Sequence, residues 1–126
     1  MVLGRMVGQS PMSSKQVSYP VQLLLPDSEK TIEVSSEQHI WDAALAYGVV
    51  LPAMCHQGRC LTCAARLDRP GNFDQSDSVS YFPEDREARF ILPCTAKARS
   101  PLRIRTHQAE EMRRFRRSQG LPSPYS

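Results

Sequence analysis

The alternation of apolar and polar side chains in the first third of the chain predicts a β-hairpin. Residues 17–25 alternate in part and end in a run of leucines, which is typical of a strand with a buried face. Residues 31–34 return as a second strand after the polar turn at 26–28. These two strands are therefore expected to open a sheet.

The next apolar positions have helical spacing. Ile40 and Ala44 lie one turn apart, which predicts a helix over residues 40–47. Ser36 is expected to be its N-cap, and Gly48 is expected to end it. The other elements that the pattern predicts are strands at 64–67, 90–92 and 102–105, a short helix at 83–89 and a final helix at 107–117.

The final helix has glutamates in its first turns and arginines in its last, which suits the helix dipole. Thr106 is expected to cap it, and Gly120 and Pro122 are expected to end it. The order strand, strand, helix, loop, strand, short helix, strand, strand, helix indicates an α+β domain. Its mixed sheet would be crossed by the first helix, an arrangement that the β-grasp (ubiquitin-like) fold fits best.

Length and charge define how the chain is organised. Its 126 residues suffice for one domain, and they include neither an apolar run that could span a bilayer nor a secretory signal pattern. The net charge of +3 is uneven: residues 1–94 carry 8 basic and 11 acidic side chains, and residues 95–126 carry 8 and 2. We expect a flexible tail at 1–18, a folded domain at 19–112 and a basic C-terminal extension at 113–126.

Four cysteines, Cys55, Cys60, Cys63 and Cys94, give the strongest chemical signal. The first three are spaced C-x4-C-x2-C, and the fourth follows after thirty residues. This spacing is typical of a 2Fe–2S cluster, which one loop wraps while a distant segment supplies the last thiolate. A zinc ion is the main alternative, but structural zinc sites favour two C-x2-C pairs. Disulfides are a weaker alternative, because four cysteines are too few for a secreted disulfide scaffold.

The loop between these cysteines must turn backbone N–H groups toward the cluster, because thiolates and sulfides concentrate negative charge there. Gly58 permits such a close approach. His56 is not expected to be a ligand, since Rieske centres need two histidines in place of two cysteines. The residues expected to surround the cluster and to donate hydrogen bonds are His56, Gln57, Gly58, Arg59, Leu61 and Thr62.

A set of motifs around the cysteines carries a family resemblance. The motifs are Ile40–Asp42–Ala43–Ala44, Gly48, Leu51–Pro52, Cys55, Gly58, Cys60, Thr62–Cys63–Ala64, Asp74–Gln75–Ser76–Asp77, Phe90, Leu92, Cys94 and Thr106–His107. Over about residues 19–112 they resemble plant-type 2Fe–2S ferredoxins, which implies a β-grasp fold and one-electron transfer. The residues after 112 run past the usual end, and are similar to the C-terminally extended ferredoxins of cyanobacteria and plastids.

The surface departs from that resemblance. Family members are strongly acidic and dock on basic sites of reductases and photosystem I, whereas this chain has Leu45 and Phe82 in regions where the family often has carboxylates. Complementary charge steers encounter, so we expect a poor donor to the usual ferredoxin reductase and a different partner. Met54, Leu61 and Phe82 are candidates for the docking face.

The sequence thus predicts a soluble one-electron carrier that is not an enzyme, because it contains no catalytic, flavin or nicotinamide motif. Its partners would be an electron donor and an electron acceptor, and photosynthetic proteins are candidates. Nucleic acid is not expected to be a partner. A monomer is expected, in a prokaryotic cytoplasm or, for a nuclear-encoded protein, in the plastid stroma.

Two alternative functions remain open from the sequence. One is a cluster-based redox sensor that acts through the basic C-terminal tail, and the other is a zinc-bound interaction module. The run of arginines from Arg113 to Arg117 is expected to form a solvated face or to contact an acidic partner. Met112 and Phe115 are expected to pack back onto the body.

Overall fold

The computed structural model describes residues 17–54, 57 and 61–123. Most of the predicted N-terminal tail therefore lies outside the described residues, and Ser18 already belongs to the first strand. The elements, labelled in chain order, are β1 (Ser18–Leu24), β2 (Glu29–Ser35), α1 (Ile40–Ala46), β3 (Ala65–Leu67), β4 (Phe73–Asp74), α2 (Pro83–Glu87), β5 (Phe90–Ile91), β6 (Lys97–Ala98), β7 (Leu102–Arg105) and α3 (Ala109–Ser118).

Five of the strands form one mixed sheet in the order β2-β1-β7-β3-β5. The predicted hairpin is confirmed, since β1 and β2 pair antiparallel from Ser18 opposite Ser35 to Leu24 opposite Glu29. At the centre, β1 runs parallel to β7, whereas β3 is antiparallel to both β7 and β5. The predicted α+β class with a mixed sheet is confirmed.

The main core lies between this sheet and α1. Alternate side chains of β1 and β2 are buried, and α1 adds one buried face, as a period of two and a helical period require. The members of this core from the three elements are Val21, Leu23, Ile32, Val34, Ile40, Ala43 and Ala44. A shift of the hairpin by one residue would turn these aliphatic side chains to the other face of the sheet, so their burial fixes its register.

The start of α1 differs from the prediction. Ser36 is not its N-cap: the helix begins after His39, which makes no capping hydrogen bond with its side chain. The first N–H groups are instead taken by the main chain, because Ile40 donates to the carbonyl of Ala96 and Trp41 to that of Pro93, each at 2.9 Å. A tertiary contact thus replaces a local cap.

The start of α3 also differs from the prediction. Gln108 is the N-cap of this helix, and the buried Thr106 instead donates its hydroxyl to the carbonyl of Leu24, at 3.3 Å. Thr106 therefore ties the end of β7 to β1. The predicted end is confirmed, because α3 stops at Ser118 and Gly120 follows with a φ of 71°, which favours glycine.

A second, two-stranded sheet was not predicted. Strands β4 and β6 pair antiparallel, with Phe73 opposite Ala98 and Asp74 opposite Lys97. Each strand has two residues, which is too short for any period in the sequence to indicate it. Strand β4 precedes the segment that carries Cys94, and strand β6 follows it.

Candidate metal centre

Two of the four predicted cysteine ligands lie in the described part of the chain, and the fold brings them together. The Sγ atoms of Cys63 and Cys94 are 3.0 Å apart, and both residues are buried. This distance is longer than a disulfide bond of about 2.05 Å. Two thiolates on one tetrahedral metal ion lie about 3.7 Å apart for metal–sulfur bonds of about 2.3 Å, so the pair could share one such ion after a small adjustment.

Cys55 and Cys60 lie outside the described residues, as do His56, Gly58 and Arg59. Gln57 is exposed, and its carbonyl accepts a hydrogen bond of 2.7 Å from the N–H of Val79. This hydrogen bond joins Gln57 to the segment that leads into α2.

The turn that precedes β3 sets the position of Cys63. Leu61 has a φ of 67°, which is rare for a leucine, and its carbonyl accepts the N–H of Ala64 at 3.0 Å. The Leu61 side chain is fully buried. The expectation that Leu61 belongs to an exposed docking face is therefore wrong, because the turn points this side chain into the protein.

The segment that carries Cys94 is fixed by a buried glutamine. The Gln75 side-chain amide donates to the carbonyl of Leu92 at 3.0 Å and to Oγ1 of Thr95 at 2.9 Å, and its carbonyl accepts the N–H of Leu92 at 3.0 Å. Such a satisfied buried network rigidifies its surroundings. In the sequence, Gln75 stands out only as part of a family motif, and its hydrogen bonds are seen only in the structure.

A cysteine-side core surrounds the two sulfur atoms, and we use this name for the buried set Leu61, Cys63, Ala64, Phe90, Leu92, Cys94 and Met112. The side chains of Trp41, Tyr81 and Phe115 pack against it. Met112 and Phe115 belong to α3, so the expectation that they pack back onto the body is confirmed. Apolar surroundings exclude water and strengthen electrostatic interactions at the centre.

The sequence suggested that the arginine run of α3 forms a solvated face, but only part of the run is exposed. Arg114 and Arg117 are exposed, but Arg113 is 8% exposed and Arg116 is fully buried. Arg113 and Arg116 follow Met112 by one and four positions, so all three residues share the helix face that packs on the protein. This spacing was the signal in the sequence for the burial of the two arginines, but their charge argued against burial.

Arg116 makes a buried ion pair with Asp85 of α2. Its Nη2 lies 2.8 Å from Oδ2 of Asp85, and neither side chain is exposed to solvent. The guanidinium also donates to the carbonyls of Ser80 and Pro122, both at 3.1 Å, and its carbon lies 4.8 Å from the ring centre of Phe82. These partners offset the cost of burying the charge, and they fix α3 against α2.

The acidic motif before Cys94 is neutralised by neighbouring cations. Hydrogen bonds from Ser76 lower the pKa of Asp74, and Arg99, at 3.1 Å, acts in the same direction. The pKa of Asp77 is lowered by its hydrogen bond with His39, at 2.8 Å, and by Lys97 at 3.5 Å. Asp74 and Asp77 therefore present little unpaired negative charge. Outside this motif, burial raises the pKa of Tyr81 above its ordinary value.

Fold and site together define a class: a β-grasp domain whose sheet and helices bring two cysteines to one buried point. Comparison with known families agrees with this class. Residues 24–99 match the 2Fe-2S iron-sulfur cluster binding domain, which is more than half of the chain. The chain belongs to this family, and within it is a plant-type 2Fe–2S ferredoxin.

Relatives at the sequence level are ferredoxins. Ferredoxin-2 of Synechococcus sp. is 39% identical over 95 residues, which span 75% of this chain and 90% of the relative. The heterocyst ferredoxin of Nostoc sp. is 38% identical and covers 72% of this chain and 93% of the relative. Chloroplastic ferredoxin-6 of Zea mays is 33% identical over 79% of this chain and 64% of its own length.

Solved structures with the same fold include larger proteins. Pectocin M2 superposes with a TM-score of 0.64 at 31% identity, over 79% of this chain and 40% of that one. The ferredoxin reductase in carbazole 1,9a-dioxygenase superposes with a TM-score of 0.55 at 28% identity, over 71% of this chain and 28% of that one. The chain thus spans less than half of these structures.

These findings establish the cofactor and the general role. The cofactor is a 2Fe–2S cluster, and the protein, like its ferredoxin relatives, carries electrons between redox partners. Within the described ranges, no helix is long and apolar enough to cross a membrane. The C-terminally extended subclass stays a prediction, because the family match ends at residue 99.

Proposed function

We propose that Cys55, Cys60, Cys63 and Cys94 hold the 2Fe–2S cluster. The 3.0 Å approach of the buried Cys63 and Cys94 sulfur atoms carries this proposal, because two thiolates so placed suit one iron. The C-x4-C-x2-C spacing then leaves Cys55 and Cys60 for the other iron. When bound, the cluster supplies a site that gains and loses one electron.

The surrounding residues would hold the cluster in a fixed, largely dry setting. Leu61 and Met112 exclude water from the cysteine pair, and Gln75 holds the segment that carries Cys94. His56, Gln57, Gly58, Arg59, Leu61 and Thr62 stay the residues that we propose to surround the cluster. A fixed environment lowers the reorganisation that accompanies charge transfer.

The docking face would lie beside the loop of the first three cysteines. Met54 and Val79 are 61% and 62% exposed, and Val79 is hydrogen-bonded to that loop through Gln57. Phe82 is partly buried under Arg116 and takes a smaller part than the sequence suggested. An exposed apolar rim of this kind suits a transient contact with a redox protein.

We further propose that the partner is not the usual ferredoxin reductase with its basic docking site. The support is the pairing of Asp74 and Asp77 with cations, together with the net charge of +3. Because charged patches mainly set association rates, weak patches predict slow and weakly salt-dependent association. Cyanobacterial and chloroplastic relatives support a prokaryotic cytoplasm or a plastid stroma as the location.

Metal analysis and spectroscopy test the cluster assignment, and kinetics test the partner proposal. We expect about two irons and two sulfides per chain and an EPR signal after reduction. The Cys63→Ser and Cys94→Ser variants should lose the iron, the sulfide and the EPR signal. One zinc ion per chain without colour would refute the cluster assignment. Electron transfer with a plant-type ferredoxin reductase should be slower and less salt-sensitive than that of an acidic ferredoxin, and equal rates and salt dependence would refute the partner proposal.

A further inference from the structure

A shallow surface depression of about 340 Å³ lies between β3 and α3. Arg66 of β3 and Arg114 of α3 line it, and both are exposed. Arg117 is exposed too, and it follows Arg114 by three positions, so it lies on the same side of the helix. We propose that this arginine surface, defined by Arg66, Arg114 and Arg117, binds an acidic segment of a redox partner protein. The inference rests on the proposed function as an electron carrier and names the chemistry of the partner.

The first step of the argument is that these positive charges lack carboxylate partners. Elsewhere, arginines of intermediate exposure pair with acids: Arg99 lies 3.1 Å from Asp74, and Arg103 lies 3.1 Å from Asp68. None of the three arginines of the arginine surface forms an ion pair with a carboxylate in the described part of the chain. Glu111 also lines the depression and adds one negative charge, so a positive excess remains. Such an excess attracts partners of the opposite charge.

The second step concerns the aromatic part of the depression. Phe90 and Phe115 line it, and their ring centres are 5.5 Å apart. The guanidinium carbon of Arg66 lies 4.5 Å from the centre of the Phe90 ring, and the Nε of Arg66 donates to the carbonyl of Ala88 at 2.9 Å. These contacts hold the Arg66 side chain in place, so it loses little conformational entropy when its terminal N–H groups bind a carboxylate. Arginines and aromatic side chains are both enriched in protein interfaces.

The third step relates the arginine surface to the two described cysteines. Phe90 is a buried member of the cysteine-side core, and Phe115 packs against this core. The depression therefore lies on the outside of the core that contains Cys63 and Cys94. A partner that binds here is held on the side of the domain where we propose the cluster.

A protein segment fits this surface better than a nucleic acid does. A DNA duplex carries one negative charge per about 1.7 Å of its axis, and a protein that makes about 6–10 phosphate contacts needs a comparable number of cations. The surface offers three arginines against one glutamate, which is a small positive excess for that purpose. A few carboxylates match it well, because a guanidinium and a carboxylate form two parallel hydrogen bonds.

Binding of an acidic peptide to the full-length holo protein tests the inference. The probe is a labelled peptide of glutamates with one central phenylalanine, and its binding is followed by fluorescence anisotropy at low ionic strength. The double variant Arg114→Gln/Arg117→Gln should bind it about fivefold more weakly than the wild type, because exposed ion pairs are lost. The control Lys30→Gln/Arg69→Gln removes the same charge from exposed positions outside the depression and should weaken binding less than about twofold.

A third variant tests whether β3 contributes to the same surface. Arg66→Gln should weaken binding of the peptide about threefold, and an unchanged affinity would overturn the inference. Glutamine forms helices about as well as arginine, and Arg114 and Arg117 are exposed, so the double variant in α3 is expected to fold. Far-ultraviolet circular dichroism checks the fold of every variant.

Equal weakening in the two double variants would overturn the inference, as would an absence of binding to the wild type. Tighter binding of an oligothymidylate of equal charge would indicate a nucleic acid instead, and dimerisation of the wild type that Arg114→Gln/Arg117→Gln abolishes would indicate a second copy of the chain. Either result would overturn the inference. The iron and sulfide contents of the same samples test the proposed function separately, since a wild-type protein without both would refute the electron carrier whatever the peptide affinity.

Discussion

The two cores of this protein are closed in different ways. The main core, between the sheet and α1, is built from apolar side chains such as Val21, Ile32 and Ile40. The cysteine-side core has an apolar interior, but buried charges of Arg113, Arg116 and Asp85 border it. A wholly apolar enclosure would disfavour an anionic cluster, so the buried charges suit the place that we propose for the cluster beside this core.

The largest expected effect comes from breaking the charged border. Asp85→Ala leaves Arg116 buried without its carboxylate, and this situation costs about 3–5 kcal/mol. We expect the melting temperature of the holo protein, measured at one fixed heating rate, to fall by about 10 °C or more.

A surface ion pair is the matched control. Arg105 lies 3.3 Å from Asp68, and their side chains are 56% and 32% exposed. Arg105→Ala leaves the second ion pair of Asp68, with Arg103 at 3.1 Å, in place and should therefore cost about 1 kcal/mol or less. If both variants melt at the same temperature, the buried charges do not distinguish the two cores.

An intermediate effect is expected from cavities in the two apolar interiors. Met112 and Ile104 are both fully buried, the first in the cysteine-side core and the second in the main core. Replacement of either by alanine should cost about 2–5 kcal/mol. Only Met112→Ala should also shorten the lifetime of the visible absorbance band in air, because it opens a path for water and oxygen to the cluster. Equal lifetimes would argue against a protective role for α3.

A smaller effect is expected from the polar support of Cys94. Gln75→Leu removes three hydrogen bonds and leaves the buried N–H of Leu92 without its acceptor, at a cost of about 1–3 kcal/mol. The lower melting temperature should be accompanied by faster release of iron to a chelator. Gln22→Ala, which removes a surface hydrogen bond to Glu29, is the control and should change the stability by about 0.5 kcal/mol or less.

The same contrast explains what the sequence could predict. The hairpin of β1 and β2 and the helix α1 were predicted because their side chains repeat with periods of two and 3.6 residues. The burial of Arg113 and Arg116 was not, because an arginine in a helix is normally solvated and its partners are distant in sequence. For the site, spacing alone indicated the cysteines and the class of cofactor.

The errors at the helix starts have a common physical origin. Ser36 and Thr106 were expected to be caps because serine and threonine commonly accept hydrogen bonds from helix N–H groups. In the structure the carbonyls of Pro93 and Ala96 satisfy the start of α1, and the Thr106 hydroxyl serves the sheet instead. Contacts between segments far apart in the chain decided both cases, and no local pattern reports them.

The parallel pairing of β1 with β7 has a consequence for synthesis. Strand β1, formed from residues 18–24, completes its pairing only with residues 102–105 of the central strand β7. On the ribosome, the residues up to 105 must therefore emerge before the sheet closes, and contacts so distant in sequence form slowly. Stable insertion of the cluster is accordingly expected only after β7 has emerged.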